Sequence, residues 1–357
     1  AGERVYVIGP TAEDLPALPV GRHEAAREDI RGPFRYRLSE PNVCVLDRCE
    51  YRIGDGPWEG PLEVLKVDRA VRRRFGLDPR GGSMLQPWYA ARSPRRVVGG
   101  VTVRFRFAIE RMPESAVDLV VERPDVFAVT VNGTRIAVPE HPKRWVDICF
   151  ARLPVPEGVL QLGENTVELS CDYAHDVGLE AVYLLGSFGV EVRGSGAALT
   201  SLPERLAVGD ITRQGLPFYG GAIAYELDLP QGASRPTKLA APGMSAACAV
   251  VVPRSTPFPD TSSLALDEAA DGTTPDRLIA WDPYEADIAD LARDGTPLDL
   301  RVYLTRRNTF GPLHQVPLHA PAYGPGNWLT EGAAFSEAYV LLPSGLLHPP
   351  QTVSVEQ

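Results

Sequence analysis

Three features of the sequence predict a mostly β chain built from two related sandwiches. Thirty-four Pro and 33 Gly, scattered without period, cut the 357 residues into short segments separated by turn signals. Many of those segments alternate apolar and polar residues, as Val101-Thr102-Val103-Arg104-Phe105-Arg106-Phe107 does. An order of parts within 96–195 also recurs within 205–347, at a spacing of roughly 120 to 140 residues, which signals duplicated domains and not a solenoid. The expected division is a leader over 1–95, a first sandwich over 96–200 and a second over 201–357. Length alone calls for more than one core.

Composition narrows the class. Hydrophobic content of 44% with 23% charged residues belongs to a globular chain. The net charge is −10, and the 36 basic residues include only three lysines, Lys66, Lys143 and Lys238. An acidic chain without a basic stripe is not expected to bind nucleic acid. Arg72-Arg73-Arg74 and Arg95-Arg96 read as a solvated helix face and a loop. No stretch approaches the roughly 20 apolar residues that cross a bilayer, so no membrane partner is expected. AGERVYVIGP at the start is strand-like and carries no signal peptide, which leaves the compartment open. The five cysteines, Cys44, Cys49, Cys149, Cys171 and Cys248, show no CxxC spacing. Buried free thiols are the favoured reading, with a Cys149–Cys171 disulfide as the alternative. Cys44 and Cys49 on one strand would face opposite ways.

In the leader, Arg4 to Ile8, Phe34 to Leu38, Asn42 to Asp47 and Glu50 to Ile53 read as strands. Leu62 to Phe75 is the one convincing helix: Pro61 opens it, Val64, Val67, Val71 and Phe75 recur at helical spacing, and Gly76 stops it. Met84 to Tyr89 is an extended link. The leader has too few strands to close a sandwich, so it must pack on something else.

In the first sandwich, strands are expected at Val101 to Phe107, Val117 to Glu122 and Phe127 to Val131, ending on the hairpin signal Asn132-Gly133. Asn132-Gly133-Thr134 is also a glycan acceptor sequon, but the turn explains it. Trp145 to Ile148, Leu160 to Leu169 and Gly178 to Leu185 complete the unit. Gly209 to Pro230 then reads as the seam. Gly215, Gly220 and Gly221 let the backbone bend, while Phe218 and Tyr219 wedge between two cores. Past it, Tyr225 to Leu229, the apolar run from Lys238 to Val252, Trp281 to Ile288 and Leu291 to Leu300 echo the first unit. Pro253-Arg254-Ser255 stands where the Asn-Gly turn was. Trp145 and Trp281 occupy matching places, which suits packing.

These parts resemble the galactose-binding-like jelly roll that accompanies glycoside hydrolases of the family 2 type and α-L-rhamnosidase-like enzymes. The residues that carry the resemblance are Val129-Thr130-Val131-Asn132-Gly133, Asp147-Ile148 and Leu162-Gly163-Glu164-Asn165 in the first copy. In the second they are Trp281, Pro283, Tyr284, Asp287 and Ile288. Gly215 to Gly221 and Arg306 to His314 also look like segments that flank such a sandwich. The resemblance spans roughly 96–347, each motif being weak alone. It implies two tandem jelly rolls and places the chemistry on a (β/α)₈ barrel of which this chain shows no βαβ pattern. The chain is therefore expected to be the C-terminal, non-catalytic accessory region of a larger glycoside hydrolase, partnered by the catalytic domain of the same polypeptide. A self-standing carbohydrate-binding module and a structural protein-interaction domain are the alternatives.

Candidate sites follow from loop chemistry. Arg307, Asn308 and His314, beside Gly311 and Pro312, are placed to hydrogen-bond sugar hydroxyls, with Trp328 or Tyr323 stacking on a pyranose face. Gln214 and Tyr219 join them if that loop folds back on the seam. The competing reading has Arg307 and Asn308 bracing the loop against the seam. Asp172, His175 and Asp176, followed by Glu180, are a second cluster, for which loop solvation and turn capping are favoured over a metal or an acid/base pair. No catalytic residue and no cofactor is expected, a structural calcium staying open.

Overall fold

The computed structural model describes residues 24–80, 94–229, 236–259, 277–316 and 324–355. The strand expected at Arg4 to Ile8, the link Met84 to Tyr89, and Tyr323 lie outside them. The chain enters as β1 (Glu24–Asp29), β2 (Tyr36–Leu38), β3 (Asn42–Leu46), β4 (Arg48–Ile53) and β5 (Glu59–Glu63). Helix α1 (Val64–Arg74) follows. Then come β6 (Val97–Ile109), β7 (Asp118–Glu122), β8 (Ala128–Val131), β9 (Thr134–Arg135), β10 (Arg144–Trp145) and β11 (Asp147–Pro154). The first half closes with β12 (Gly163–Ala174), β13 (Val182–Gly186), β14 (Gly189–Arg193) and β15 (Gly196–Thr200). Beyond the seam lie β16 (Ala222–Leu227), β17 (Lys238–Ala240), β18 (Met244–Ser245), β19 (Cys248–Pro253), β20 (Leu278–Ile279) and β21 (Glu285–Asp287). A short α2 (Ala289–Arg293), β22 (Leu298–Tyr303), α3 (Arg307–Phe310), β23 (Gly345–Leu346) and β24 (Gln351–Val355) end the described chain.

Two jelly rolls result, and they match strand for strand. In the first, the sheet β3-β13-β7-β11, with β10 added beyond β11, faces β6-β12-β8-β9. In the second, β1-β24-β17-β21 faces β16-β22-β19-β20. β4 flanks β6 in the first copy, and β2 flanks β16 in the second. Each copy thus sets four strands against four, as a jelly roll does, with a further strand beside β6 or β16, and the first copy's second sheet also carries β5, β14 and β15. The leader's partner is thereby found: β1 and β2 are opening strands of the second sandwich, β3 and β4 of the first. The duplication is nested, the first copy lying in sequence between β2 and β16.

Two cores follow. One gathers Phe105, Leu119, Val129, Leu153, Val167 and Leu184; the other gathers Ile223, Leu239, Val251, Ile288, Leu300 and Val302. The chain changes core between Leu38 and Val43, Leu199 and Leu206, Leu304 and Phe310, and Leu341 and Leu346. The described residues 310–316 and 324–341 therefore form a strap that leaves the second sandwich, lies on the first and returns.

Local chemistry explains the elements. The Glu63 carboxylate caps α1, accepting from the Leu65 N–H at 3.0 Å and the Lys66 N–H at 3.1 Å, and Gly76 ends it at φ +66°. Val64, Val67 and Val71 are the buried stripe. Asn132 and Gly133 have φ of 48° and 78°, as a two-residue hairpin turn needs. Asn132 Nδ2, where a glycan would attach, donates to the Val159 carbonyl at 2.8 Å and to Asn165 Oδ1 at 2.7 Å. Asn165, fully buried, donates in turn to the Gln161 carbonyl at 2.7 Å and so fixes the next turn. The second copy uses charge at this end: buried Asp299 accepts from Arg37 and from Arg254 Nε at 3.3 Å.

Two expectations need correction. Cys44 and Cys49 do not diverge: the chain turns a corner at Asp47, placing them on opposing sheets, and both face the first core. All five thiols are free, Cys149 and Cys171 lying on β11 and β12 in different sheets. Trp145 is buried among Phe150, Tyr183 and Phe310, but its echo Trp281 is 51% exposed. Tyr284, three residues on, packs on the second core in its place.

Candidate functional site

Gln214, Tyr219, Arg307 and Asn308, singled out from the sequence, converge on the joint between the sandwiches. Asp210 organises the seam: its Oδ1 accepts the N–H of Thr212 at 3.0 Å and of Ser344 at 3.1 Å, and its Oδ2 accepts the Thr212 hydroxyl at 2.8 Å. Gln214 folds back on the Ala207 backbone, accepting its N–H at 2.8 Å and donating to its carbonyl at 3.2 Å. Leu216 and Tyr219 then enter the second core, while Phe218 between them enters the first. Tyr219 is 1% exposed; its hydroxyl donates to the Ala222 carbonyl at 2.9 Å and accepts the Ser39 N–H at 3.1 Å. Burial raises its pKa, so the phenol stays protonated.

The loop after β22 does fold back on the seam. Arg306 makes a two-pronged ion pair with Glu40, one contact being 2.8 Å. The Thr309 hydroxyl donates to the Phe218 carbonyl at 2.8 Å. Asn308, 3% exposed, donates to the Leu342 carbonyl at 2.7 Å and accepts the Leu342 N–H at 2.9 Å. Arg307 is half-buried in α3 beside it. Phe310 stacks on Phe150 at 5.2 Å, and Trp328 donates to the Phe310 carbonyl at 3.3 Å.

His314, 6% exposed, is the centre of a buried polar knot that sequence reading reached only in part. Its Nε2 lies 3.0 Å from Asp47 Oδ2 and its Nδ1 lies 2.9 Å from the Ser336 carbonyl. The Tyr339 hydroxyl donates to Asp47 Oδ1 at 2.7 Å, and the Tyr339 ring stacks on His314 at 5.2 Å. Asp47, Glu63 and Tyr339 were not singled out because nothing in their local spacing marks them. They meet through a strand corner, a helix cap and the strap, His314 lying 267 residues from Asp47 in the chain.

The cluster around Cys171 is spent on its surroundings. Asp176 faces Arg95 at 3.4 Å, and Glu180 pairs with Arg80 at 2.6 Å. The centre is buried Asp68, whose carboxylate accepts from Tyr173 at 3.0 Å, the Leu179 N–H at 3.1 Å, Arg72 at 3.1 Å and Arg80 at 3.0 Å. Among the described residues no three His, Cys, Asp or Glu side chains are grouped to hold a metal.

One open concavity adjoins the joint, a groove of about 660 Å³ between the outer edge of β14, the seam and the strap. The Val190 N–H bonded to the Gly215 carbonyl closes one end, at 2.9 Å. Glu191, Thr212, Arg213, Gln214 and the Tyr339 ring are among its walls. Hydrolysis of a glycoside needs one carboxyl held protonated opposite another that stays ionised. Here the Arg193 hydrogen bond holds Glu191 below its ordinary value, and Asp210 is ringed by donors. Glu122, which burial and then the Glu180 charge push up, sits with Glu180 at a different cleft of about 10 Å³, room for about one water.

No family model matches the chain, and no curated protein matches it. Among solved structures, an FMN-binding β-glucuronidase from Facaelibacterium prausnitzii L2-6 is matched at 12% identity with a TM-score of 0.25. The match covers 74% of this chain and 34% of that one, so the chain spans about a third of that protein's length.

Proposed function

We propose that this chain is the non-catalytic accessory region of a glycoside hydrolase, a double jelly-roll scaffold that steadies a catalytic barrel carried elsewhere in the same polypeptide. The observation that supports it most is the interlock. Among the described residues the chain changes core at the pairs Leu38/Val43, Leu199/Leu206, Leu304/Phe310 and Leu341/Leu346, and Phe218 reaches the first core from between Leu216 and Tyr219 of the second. Asn308, Thr309, Gln214 and Tyr219, all suited by type to sugar hydroxyls, spend their bonds on holding that joint. Two sandwiches fastened in this way offer a rigid support, as a positioned active site requires. The motifs at Val129 to Gly133 and Leu162 to Asn165 supply the link to glycoside hydrolases.

The test is turnover. The purified chain is expected to leave aryl glycosides intact, and hydrolysis that a point change in this chain abolishes would overturn the reading. The second reading, a carbohydrate-binding module, is favoured by the groove beside Gln214. Calorimetric binding of an oligosaccharide that Arg213→Ala removes would support it, and a blank glycan array counts against it.

A further inference from the structure

The knot around His314 has a property that neither reading uses. Both partners of the imidazole, the Asp47 carboxylate and the Ser336 carbonyl, are acceptors, at 3.0 Å and 2.9 Å. A neutral imidazole donates through one nitrogen only, so both contacts are satisfied together only by the imidazolium. The Asp47 carboxylate is oriented for this, since its other oxygen is held by the Tyr339 hydroxyl. These contacts tie the strap to the corner between β3 and β4, the place where it lies on the first sandwich.

We propose that His314 is a proton-dependent latch: its imidazolium, clamped between Asp47 and Ser336, fastens the strap to the first sandwich, and the grip loosens as pH rises.

The surroundings leave few groups able to change charge near neutrality. From the strap side come Glu337 and Tyr339; from the corner, Asp47 and Arg48; from the helix, Glu63 and Lys66. Hydrogen bonds from Lys66 and then Arg48 hold Glu337 below its ordinary value, so it stays ionised. Burial keeps Tyr339 protonated. His314 and Glu63 remain. Burial pulls the imidazole down, but the Asp47 hydrogen bond and the charges of Asp47 and Glu63 outweigh it, and the net direction is up from 6.5. Burial pushes Glu63 up from 4.5 to about 7, against the Leu65 N–H.

Both groups therefore bind protons more tightly in the folded than in the unfolded chain. Their contribution is present at low pH and lost as pH rises, for Glu63 between 4.5 and about 7 and for His314 from 6.5 through its raised value. The unfolded state binds fewer protons in that window, so stability falls with pH.

Hydrogen exchange reads the latch directly. The Ser336 N–H bonds to the His314 carbonyl at 2.8 Å and the Val340 N–H to the Leu313 carbonyl at 2.7 Å. Their protection, relative to amides of the β6–β12 ladder, is measured from pH 5.5 to 8.5. It is expected to fall about tenfold for each pKa unit by which the folded His314 exceeds the unfolded one. In His314→Gln the ratio should be low and flat above about pH 7, leaving below it only the fall that belongs to Glu63. A ratio independent of pH in the unsubstituted protein overturns the latch, as does a variant that keeps the fall above about pH 7. If His314→Gln does not fold, imidazole ¹⁵N shifts of the unsubstituted protein decide. Two protonated ring nitrogens at pH 6.5 support the proposal, and a neutral ring there contradicts it.

Discussion

At Gly220 the loop after β22 packs closely on the seam, and Gly220→Ala tests whether that approach holds the joint. A Cβ built there would lie 2.6 Å from the Thr309 hydroxyl oxygen, 2.9 Å from Arg306 Cδ and 3.1 Å from the Thr305 carbonyl oxygen. The backbone at Gly220 is not left-handed, so the cost is one of space alone. The Arg306 side chain can shift, whereas the Thr305 carbonyl belongs to the backbone just after β22. Overpacking of this kind costs roughly 1–3 kcal/mol. Displacing Thr309 also breaks its hydrogen bond to the Phe218 carbonyl, worth about 0.5–1.5 kcal/mol. Together these give a loss of roughly 2–4 kcal/mol. Urea unfolding should show it as a lower midpoint with the slope unchanged. Thr309→Ala removes the oxygen that the new methyl strikes, so the double variant should lose about 1 kcal/mol less than the sum of the singles. A loss under about 0.5 kcal/mol for Gly220→Ala, or strict additivity, would refute the close packing of the loop after β22 on the seam.

Other outcomes follow from the buried polar groups. Asp68→Ala strands Arg72 and the Tyr173 hydroxyl around an emptied site, and should cost about 3–5 kcal/mol in the same assay. Asn165→Ala unpairs the Gln161 N–H and carbonyl and takes one of the two acceptors of the Asn132 amide, with an expected loss of about 2–4 kcal/mol; an equal effect from Asn165→Asp would show that the donated bonds matter most. Burial raises the thiol pKa of Cys44 and Cys49, so neither should react with an aromatic disulfide at pH 8 until urea unfolds the chain.

Much of the fold was legible in the sequence because jelly-roll strands declare themselves locally. Alternation placed β6, β8 and β12, and Asn132-Gly133 placed the hairpin from β8 to β9, since both signals act over a few residues. The seam was legible for the same reason, Phe218 and Tyr219 being adjacent and bulky with opposite cores to fill. What remained hidden depends on partners far apart in the chain. β1 pairs with β24, so a leader without apparent partners proved to be the opening strands of both sandwiches. Trp281 misled because a sequence echo preserves order and not burial. At the joint, His314 and Asn308 carried a signal by type and position. Asp47, Glu63 and Tyr339 gave none, since a buried ion pair arises from tertiary contact and leaves no spacing behind.

Calorimetric unfolding of the whole chain tests the interlock most directly. Two sandwiches joined by these crossings and a shared strap should melt in a single transition, with the van't Hoff and calorimetric enthalpies equal. Two resolved transitions, with amide protection lost first in one sandwich and retained in the other, would contradict a single rigid scaffold.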